Sequence, residues 1–219
     1  MRKVEFANNE FYHLYNRGVD KRNIFGEKKD VDRFLQSLKE FNTIEPIGSI
    51  FEQSFSKTIS QSEKKLVEFV CYALNHNHYH LLVRQVSDQG IEKFMHRLST
   101  GYTRYFNDRN QRTGSLFQGP YQARYVDSNE YLLHLSVYIN LNDIAHGVNQ
   151  LGGLASKLGR TSWGEFTLPT TRPALCQKDI ILGQFGNIQE YKDFAKEALV
   201  GIQEQKLLAK ELEGLELGG

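Results

Sequence analysis

Two apolar segments separated by three residues constrain the fold of this chain most. The segments "LVEFVCYAL" (66–74) and "HYHLLVRQ" (78–85) are rich in apolar, β-branched and aromatic residues, which is typical of β-strands. The three residues between them, Asn75, His76 and Asn77, have a length that suits a hairpin loop. The sequence therefore predicts an antiparallel hairpin.

The elements around this hairpin follow a recognisable order. "FYHLYNRG" (11–18) alternates as a strand does, and apolar residues recur at helical spacing from Asp30 and again from about Ile91 to Phe106. A further strand ends near residue 126, and a helix capped at 127–129 runs to about Asn142. The order predicts an α+β fold: a ferredoxin-like β-α-β-β-α-β core with an antiparallel sheet and one added helix.

The amino-acid composition of the chain changes after Gly147. Residues 148–219 are first rich in Gly, Ser and Thr and then periodic, with a helix expected at 187–203. We therefore expect one domain at 1–147 and a C-terminal extension at 148–219 that is loop-rich and then mostly helical. The sequence assigns the extension no catalytic role.

Cysteine content, apolar runs and charge limit the possible partners. Cys71 and Cys176 form no disulfide framework, which favours a reduced, cytoplasmic protein, and no apolar run nears the roughly 20 residues of a membrane helix. Residues 1–125 carry 19 Lys/Arg against 14 Asp/Glu, whereas residues 126–219 carry 8 against 12. A polyanion would thus bind residues 1–125, although chance explains this charge asymmetry equally well.

The segment "NHNHYHLL" (75–82) places His76, His78 and His80 at alternate positions. Alternate side chains on a strand share one face, so these imidazoles could hold a zinc ion, or two of them could hold a metal with a third ligand from elsewhere. Tyr138 and Asn142 are neighbours on the predicted helix, four residues apart. Taken alone, the histidines are more often structural, and the pair is an ordinary helix edge.

Basic residues lie along the second predicted helix and in the segment after it, with aromatic residues between them. Binding single-stranded nucleic acid requires basic side chains that contact the phosphates and aromatic rings that stack on the bases. A solvated helix face would show a similar pattern of charges. The candidate DNA contacts are Arg17, Arg97, Arg104, Arg109, Arg112 and Arg124.

Four segments in order resemble the REP-associated tyrosine transposases, the single-tyrosine transposase branch of the HUH endonucleases. The similarity covers about residues 10–147. The segments are "FYHLYNRGVDKRNIF", "YALNHNHYHLLV", "YTRYFNDRNQRTGSLFQGPYQARYV" and "YLLHLSVYINLNDIAHG". Three positions depart from the usual pattern: His76 and Asp143 replace prolines, and Tyr79 replaces an aliphatic residue.

The resemblance implies a role for each matched residue. His78, His80 and Asn142 would bind a divalent metal, Mg²⁺ or Mn²⁺, which suits two imidazoles and an amide oxygen. Tyr138 would attack a DNA phosphate, leaving a 5′-phosphotyrosine and a free 3′-OH. A phenol of ordinary pKa is a poor nucleophile at neutral pH, so such a metal would assist.

The sequence therefore predicts a metal-dependent single-strand DNA endonuclease and strand transferase that acts on hairpin-associated DNA. Its partners would be single-stranded or hairpin DNA and no membrane, and it would be a monomer or a homodimer. Two alternatives stay open. One is a hairpin DNA- or RNA-binding module without cleavage, and the other is a zinc hydrolase that uses His76, His78 and His80.

Overall fold

The structure is a computed structural model that describes residues 4–48, 50, 64–142, 160–169 and 174–216. Its elements follow the chain in the order strand, helix, two strands, helix, strand, helix, after which come a short strand and three helices. They are β1 (Phe11–Arg17), a 3-10 turn (Val19–Lys21), α1 (Lys28–Glu40), β2 (Val67–Asn75), β3 (His78–Gln85), α2 (Gly90–Arg109), β4 (Gln122–Val126), α3 (Asn129–Asn140), β5 (Arg160–Thr161), α4 (Trp163–Thr167), α5 (Asp179–Leu182) and α6 (Ile188–Glu216).

The strands form one sheet in the order β4-β1-β3-β2-β5, with every neighbouring pair antiparallel. The first four strands in this order are the ferredoxin-like sheet, so the predicted fold class is confirmed. The hairpin is tighter than predicted. Because Asn75 pairs with His78, its turn holds only His76 and Asn77.

The two faces of the sheet carry different helices. Tyr79 of β3 packs on Phe34 of α1, with ring centroids 5.1 Å apart, and Phe34 in turn contacts Tyr102 of α2. His80 points to the other face, where its ring centroid lies 5.7 Å from that of Tyr138 on α3. Successive side chains of a strand alternate between faces, so β3 presents its histidines to α3 and its tyrosine to α1 and α2.

Local capping explains where the helices begin and end. α1 begins at Lys28, two residues before the predicted start, because Glu27 and Asp30 form a capping box. Ser128 caps α3 through a hydrogen bond that its hydroxyl accepts from the Tyr131 N–H. α3 ends at Asn140, and Asn142 lies just past it rather than inside it as predicted.

The C-terminal part of the chain packs on the same sheet. β5 pairs with β2, and the Gln177 N–H donates to the Phe69 carbonyl oxygen at 2.7 Å. Phe166 and Tyr191 are buried in the common core. The predicted boundary between residues 147 and 148 lies outside the described residues, and none of the helices described is long and apolar enough to cross a membrane.

Candidate active site

His78 begins β3, and its hydrogen bonds define its tautomer. Its Nδ1 lies 2.7 Å from Asn77 Oδ1, and its Nε2 lies 3.0 Å from Asn75 Nδ2. The Asn77 amide nitrogen donates to the Lys21 carbonyl, which leaves Asn77 Oδ1 as an acceptor. His78 therefore carries its proton on Nδ1, and its Nε2 lone pair faces the amide group of Asn75.

Asn142 directs its side-chain oxygen to the same amide. Asn142 Oδ1 accepts a hydrogen bond from Asn75 Nδ2 at 2.7 Å, and both side chains are buried. Two lone pairs, from an imidazole and an amide oxygen, thus face the NH₂ group of Asn75, whose two hydrogens carry partial positive charge. This donor set fits a divalent cation, for which the Asn75 amide would have to turn aside.

His80 completes the group of candidate ligands. Its ring centroid lies 5.1 Å from that of His78, with the two rings nearly perpendicular. His80 Nδ1 lies 2.9 Å from Nε2 of His13, a residue that sequence reasoning did not select. Its other ring nitrogen, Nε2, is the atom through which it would bind a metal.

His13 is a buried neutral imidazole. Burial and, to a smaller extent, the positive charge of Arg124 lower the pKa of His13 to about 4. The alternation of "FYHLYNRG" places His13 and Tyr15 on one face of β1, and the strand register sets Tyr15 opposite His80. This alternation was the available signal, but only the register brings His13 to His80.

Tyr138 lies beside the histidines and is half-buried. Burial raises the pKa of the Tyr138 phenol, and the nearby amide of Asn142 partly offsets this by favouring the ionised form. Within the described residues, Asn142 Nδ2 makes no hydrogen bond of ordinary geometry. The amide is therefore close enough to influence the phenol without being fixed by it.

Two hollows meet at this group. A groove of about 1020 Å³ lies between α3, α6 and the sheet and is lined by His80, Arg124, Tyr138 and Phe194, among others. A second hollow of about 640 Å³ also reaches His80 and is lined by Arg17 and Lys21 as well. The first groove holds Arg124 together with Glu130 and Glu197, and the second holds Arg17 and Lys21; these basic side chains lie beside the histidines, where they could contact a phosphate backbone.

Of the six candidate DNA-binding arginines, Arg17 and Arg124 line these two hollows. Arg17 is exposed at the end of β1 and bonds Gln118, and the exposed Arg124 lies close to Tyr15. The geometry brings these two to the histidine and tyrosine group.

The other four candidate arginines lie on α2 and in the loop after it, away from the histidines. Arg97, Arg104 and Arg109 belong to α2, on the sheet face opposite the histidines, and line a cavity of about 900 Å³ there. The Arg97 guanidinium donates to the carbonyl oxygens of Thr43 and Ile44, and Arg112 donates to Asn107 and Ser115. Arg109 pairs with Glu27 and Asp30.

The side of α3 that faces away from the histidines carries a second polar group. The side chains of Ser136, Asn140, Ser162 and Tyr191 are all fully buried. Asn140 Nδ2 donates to the Tyr191 hydroxyl at 3.1 Å, and the Ser162 hydroxyl donates to Asn140 Oδ1 at 2.6 Å. Burial raises the pKa of Tyr191 to about 12, so its hydroxyl stays protonated. We call these four residues the back network.

His76 occupies a different environment from the other two histidines. It lies in the hairpin turn, and its backbone carbonyl accepts hydrogen bonds from the N–H groups of Ile24 and Phe25. Across the described ranges, no three His, Cys, Asp or Glu side chains come close enough together to hold a metal ion. This arrangement gives no support to the three-histidine zinc site.

A family model for IS200-like transposases matches residues 12–142, which span β1 to Asn142. The chain belongs to this transposase family. As an IS200-like transposase it is a DNA-processing enzyme, and the predicted resemblance is confirmed at the level of the family.

The fold comparison agrees. A solved structure of a REP-associated tyrosine transposase bound to a REP hairpin is similar, with a TM-score of 0.53 and 8% sequence identity. The alignment covers 82% of this chain and 92% of that one. A search of curated proteins finds no match. At this identity the structural similarity concerns the fold.

Proposed function

We propose that this transposase is a single-strand DNA endonuclease and strand transferase whose nucleophile is Tyr138. The observation that carries the proposal is the convergence of His78 Nε2 and Asn142 Oδ1 on one amide, beside the rings of His80 and Tyr138. A divalent cation bound by His78, His80 and Asn142 would polarise the scissile phosphate and stabilise its charge.

The residues of the chain would perform the remaining steps. The Tyr138 oxygen attacks the phosphorus and loses its proton to solvent, which forms the tyrosine O–P bond as the bond from phosphorus to O3′ breaks. The departing O3′ takes up a proton and becomes a free 3′-OH. The phosphoester bond is conserved in the 5′-phosphotyrosine, so a second 3′-OH can reverse the step without an external energy source.

The surroundings of Tyr138 suit this role. Because burial raises its pKa, the phenol is neutral at rest, and the Asn142 amide favours the phenolate that must develop during attack. Arg17 and Arg124 would hold the phosphates on either side of the scissile one, in the two hollows that meet at His80.

Hairpin DNA is the substrate that we propose to test first, because the similar transposase was solved with a REP hairpin. Hairpin oligonucleotides with single-stranded flanks would be labelled at either end, incubated with Mn²⁺ and run on a denaturing gel. We expect the 3′ label to stay with the protein and the 5′ label to be released on a fragment ending in 3′-OH.

The labels separate the possible outcomes. Adduct on the 5′-labelled strand would reverse the polarity of the proposed attack. Tight hairpin binding without adduct, in either Mn²⁺ or Mg²⁺, would contradict the nuclease and favour the binding module.

A further inference from the structure

His78 and His80 differ in the hydrogen-bond partner of Nδ1, the ring nitrogen nearer the main chain. Nδ1 of His78 meets an amide oxygen, Asn77 Oδ1, which accepts only. Nδ1 of His80 meets His13 Nε2 at 2.9 Å. A neutral imidazole nitrogen can accept or donate, so this contact is compatible with two arrangements of protons.

The proposed role of His80 selects one arrangement. To bind a cation through Nε2, a neutral His80 must carry its proton on Nδ1, as His78 does. That proton must then be donated to His13 Nε2, and the single proton of His13 must sit on its own Nδ1. The alternative arrangement protonates His80 Nε2 and blocks it as a ligand.

We propose that His13 is the positioning residue of His80: it accepts the Nδ1 proton of His80, fixes the ring's tautomer and leaves Nε2 free of a proton. This inference rests on the proposed function. Hydrogen-bond acceptors behind metal-binding histidines orient the ring and typically change metal affinity 10- to 100-fold when removed. Here the acceptor is a histidine instead of a carboxylate or a carbonyl.

The packing around His13 fits this role. His13 and His80 are only 6% and 8% exposed, and their ring centroids lie 5.1 Å apart with the ring planes inclined by 26°. Water therefore has little access to replace the acceptor if His13 is lost. A hydrogen bond is directional, so this one contact sets both the tautomer and the orientation of the His80 ring.

The test compares His13→Phe with His13→Gln in the full-length protein without DNA. Phe keeps an aromatic ring at this position but removes the acceptor, whereas the Gln side-chain oxygen can still accept from His80 Nδ1. We expect His13→Phe to weaken Mn²⁺ binding, measured by calorimetry, roughly 10- to 100-fold. His13→Gln should restore most of the affinity, and His96→Phe, which removes an exposed histidine on α2, should leave it unchanged.

Nitrogen NMR of His80 gives a second readout that a merely structural role would not change. We expect the Nδ1–H tautomer in the wild type and in His13→Gln, and its loss in His13→Phe. An Nε2–H tautomer in the wild type, or equal Mn²⁺ affinity in the wild type and His13→Phe, would overturn the inference. A wild type that binds no Mn²⁺ would contradict the proposed function instead, and the NMR tautomer would still decide the role of His13.

Discussion

Helix α3 and the two residues just past it carry polar side chains on two faces. The hydrogen-bonding groups of these side chains are paired more completely on one face than on the other. On the back network, Asn140 uses both ends of its amide, bonding Tyr191 and Ser162. On the histidine side, Asn142 bonds Asn75 through its oxygen, and within the described residues its nitrogen makes no hydrogen bond of ordinary geometry. The same residue type, two positions apart, thus serves a closed network in one case and an open one in the other.

The difference teaches how to separate structural from chemical polar groups in this chain. A buried polar network with every group paired stabilises one packing arrangement, and removing a member leaves its partners unpaired. A buried amide nitrogen without a good hydrogen bond is a less stable arrangement that a ligand or substrate can complete. On this criterion, the back network holds α3 on the extension, and the histidine side is the face on which we propose the reaction.

The largest contrast should come from the same substitution on the two faces. We expect Tyr138→Phe to abolish the covalent DNA adduct while hairpin binding persists, because only the attacking oxygen is lost. Tyr191→Phe should keep the adduct and lower the free energy of unfolding by about 1–3 kcal/mol, since Asn140 Nδ2 loses its buried partner.

Denaturing gels and urea unfolding measure the two effects. Adduct formation by Tyr138→Phe would move the nucleophile elsewhere, with Tyr131, which lines the same groove, as the next candidate.

The second prediction concerns the histidines. His78→Ala or His80→Ala should reduce Mn²⁺-dependent cleavage at least 100-fold, as expected when a metal ligand is removed. His76→Ala should keep most of it, because His76 contributes its backbone carbonyl to the turn. Cleavage measured across a Mn²⁺ titration checks this, and EDTA should stop the wild type. Equal losses in all three variants would revive the three-histidine site.

The third prediction compares the two asparagines. Asn140→Ala should lower the free energy of unfolding by about 1–3 kcal/mol, because Ser162 and Tyr191 both lose a buried partner. Asn142→Ala should instead weaken Mn²⁺ binding with a smaller effect on stability. If Asn142→Ala is the more destabilising of the two and binds Mn²⁺ normally, the assignment of the faces is wrong.

The smallest expected effect concerns the arginines on the two sides of the sheet. Arg124→Ala should weaken binding to a single strand and reduce the slope of log affinity against log salt by about 1, the effect of losing one phosphate contact. Arg97→Ala should change this slope less, because its guanidinium bonds the carbonyls of Thr43 and Ile44. Equal slope changes for the two variants would indicate that the DNA strand contacts both faces of the sheet.

Local periodicity determined the elements and part of the site. Strand alternation predicts that His78 and His80 share a face, and helical spacing predicts that Tyr138 and Asn142 are neighbours, because both patterns depend on a few adjacent residues. The order of the elements predicts the ferredoxin-like core, and the sheet order confirms it.

Tertiary structure alone decided which distant groups meet. The contact of His13 with His80 depends on β1 lying beside β3 in one register, and a shift of one residue would turn His13 to the other face. Likewise, Tyr191 meets Asn140 only because α6 packs on α3. The sequence determined which side chains could share a face, and only the packing of elements far apart in the chain determined their partners, since no local period encodes that pairing.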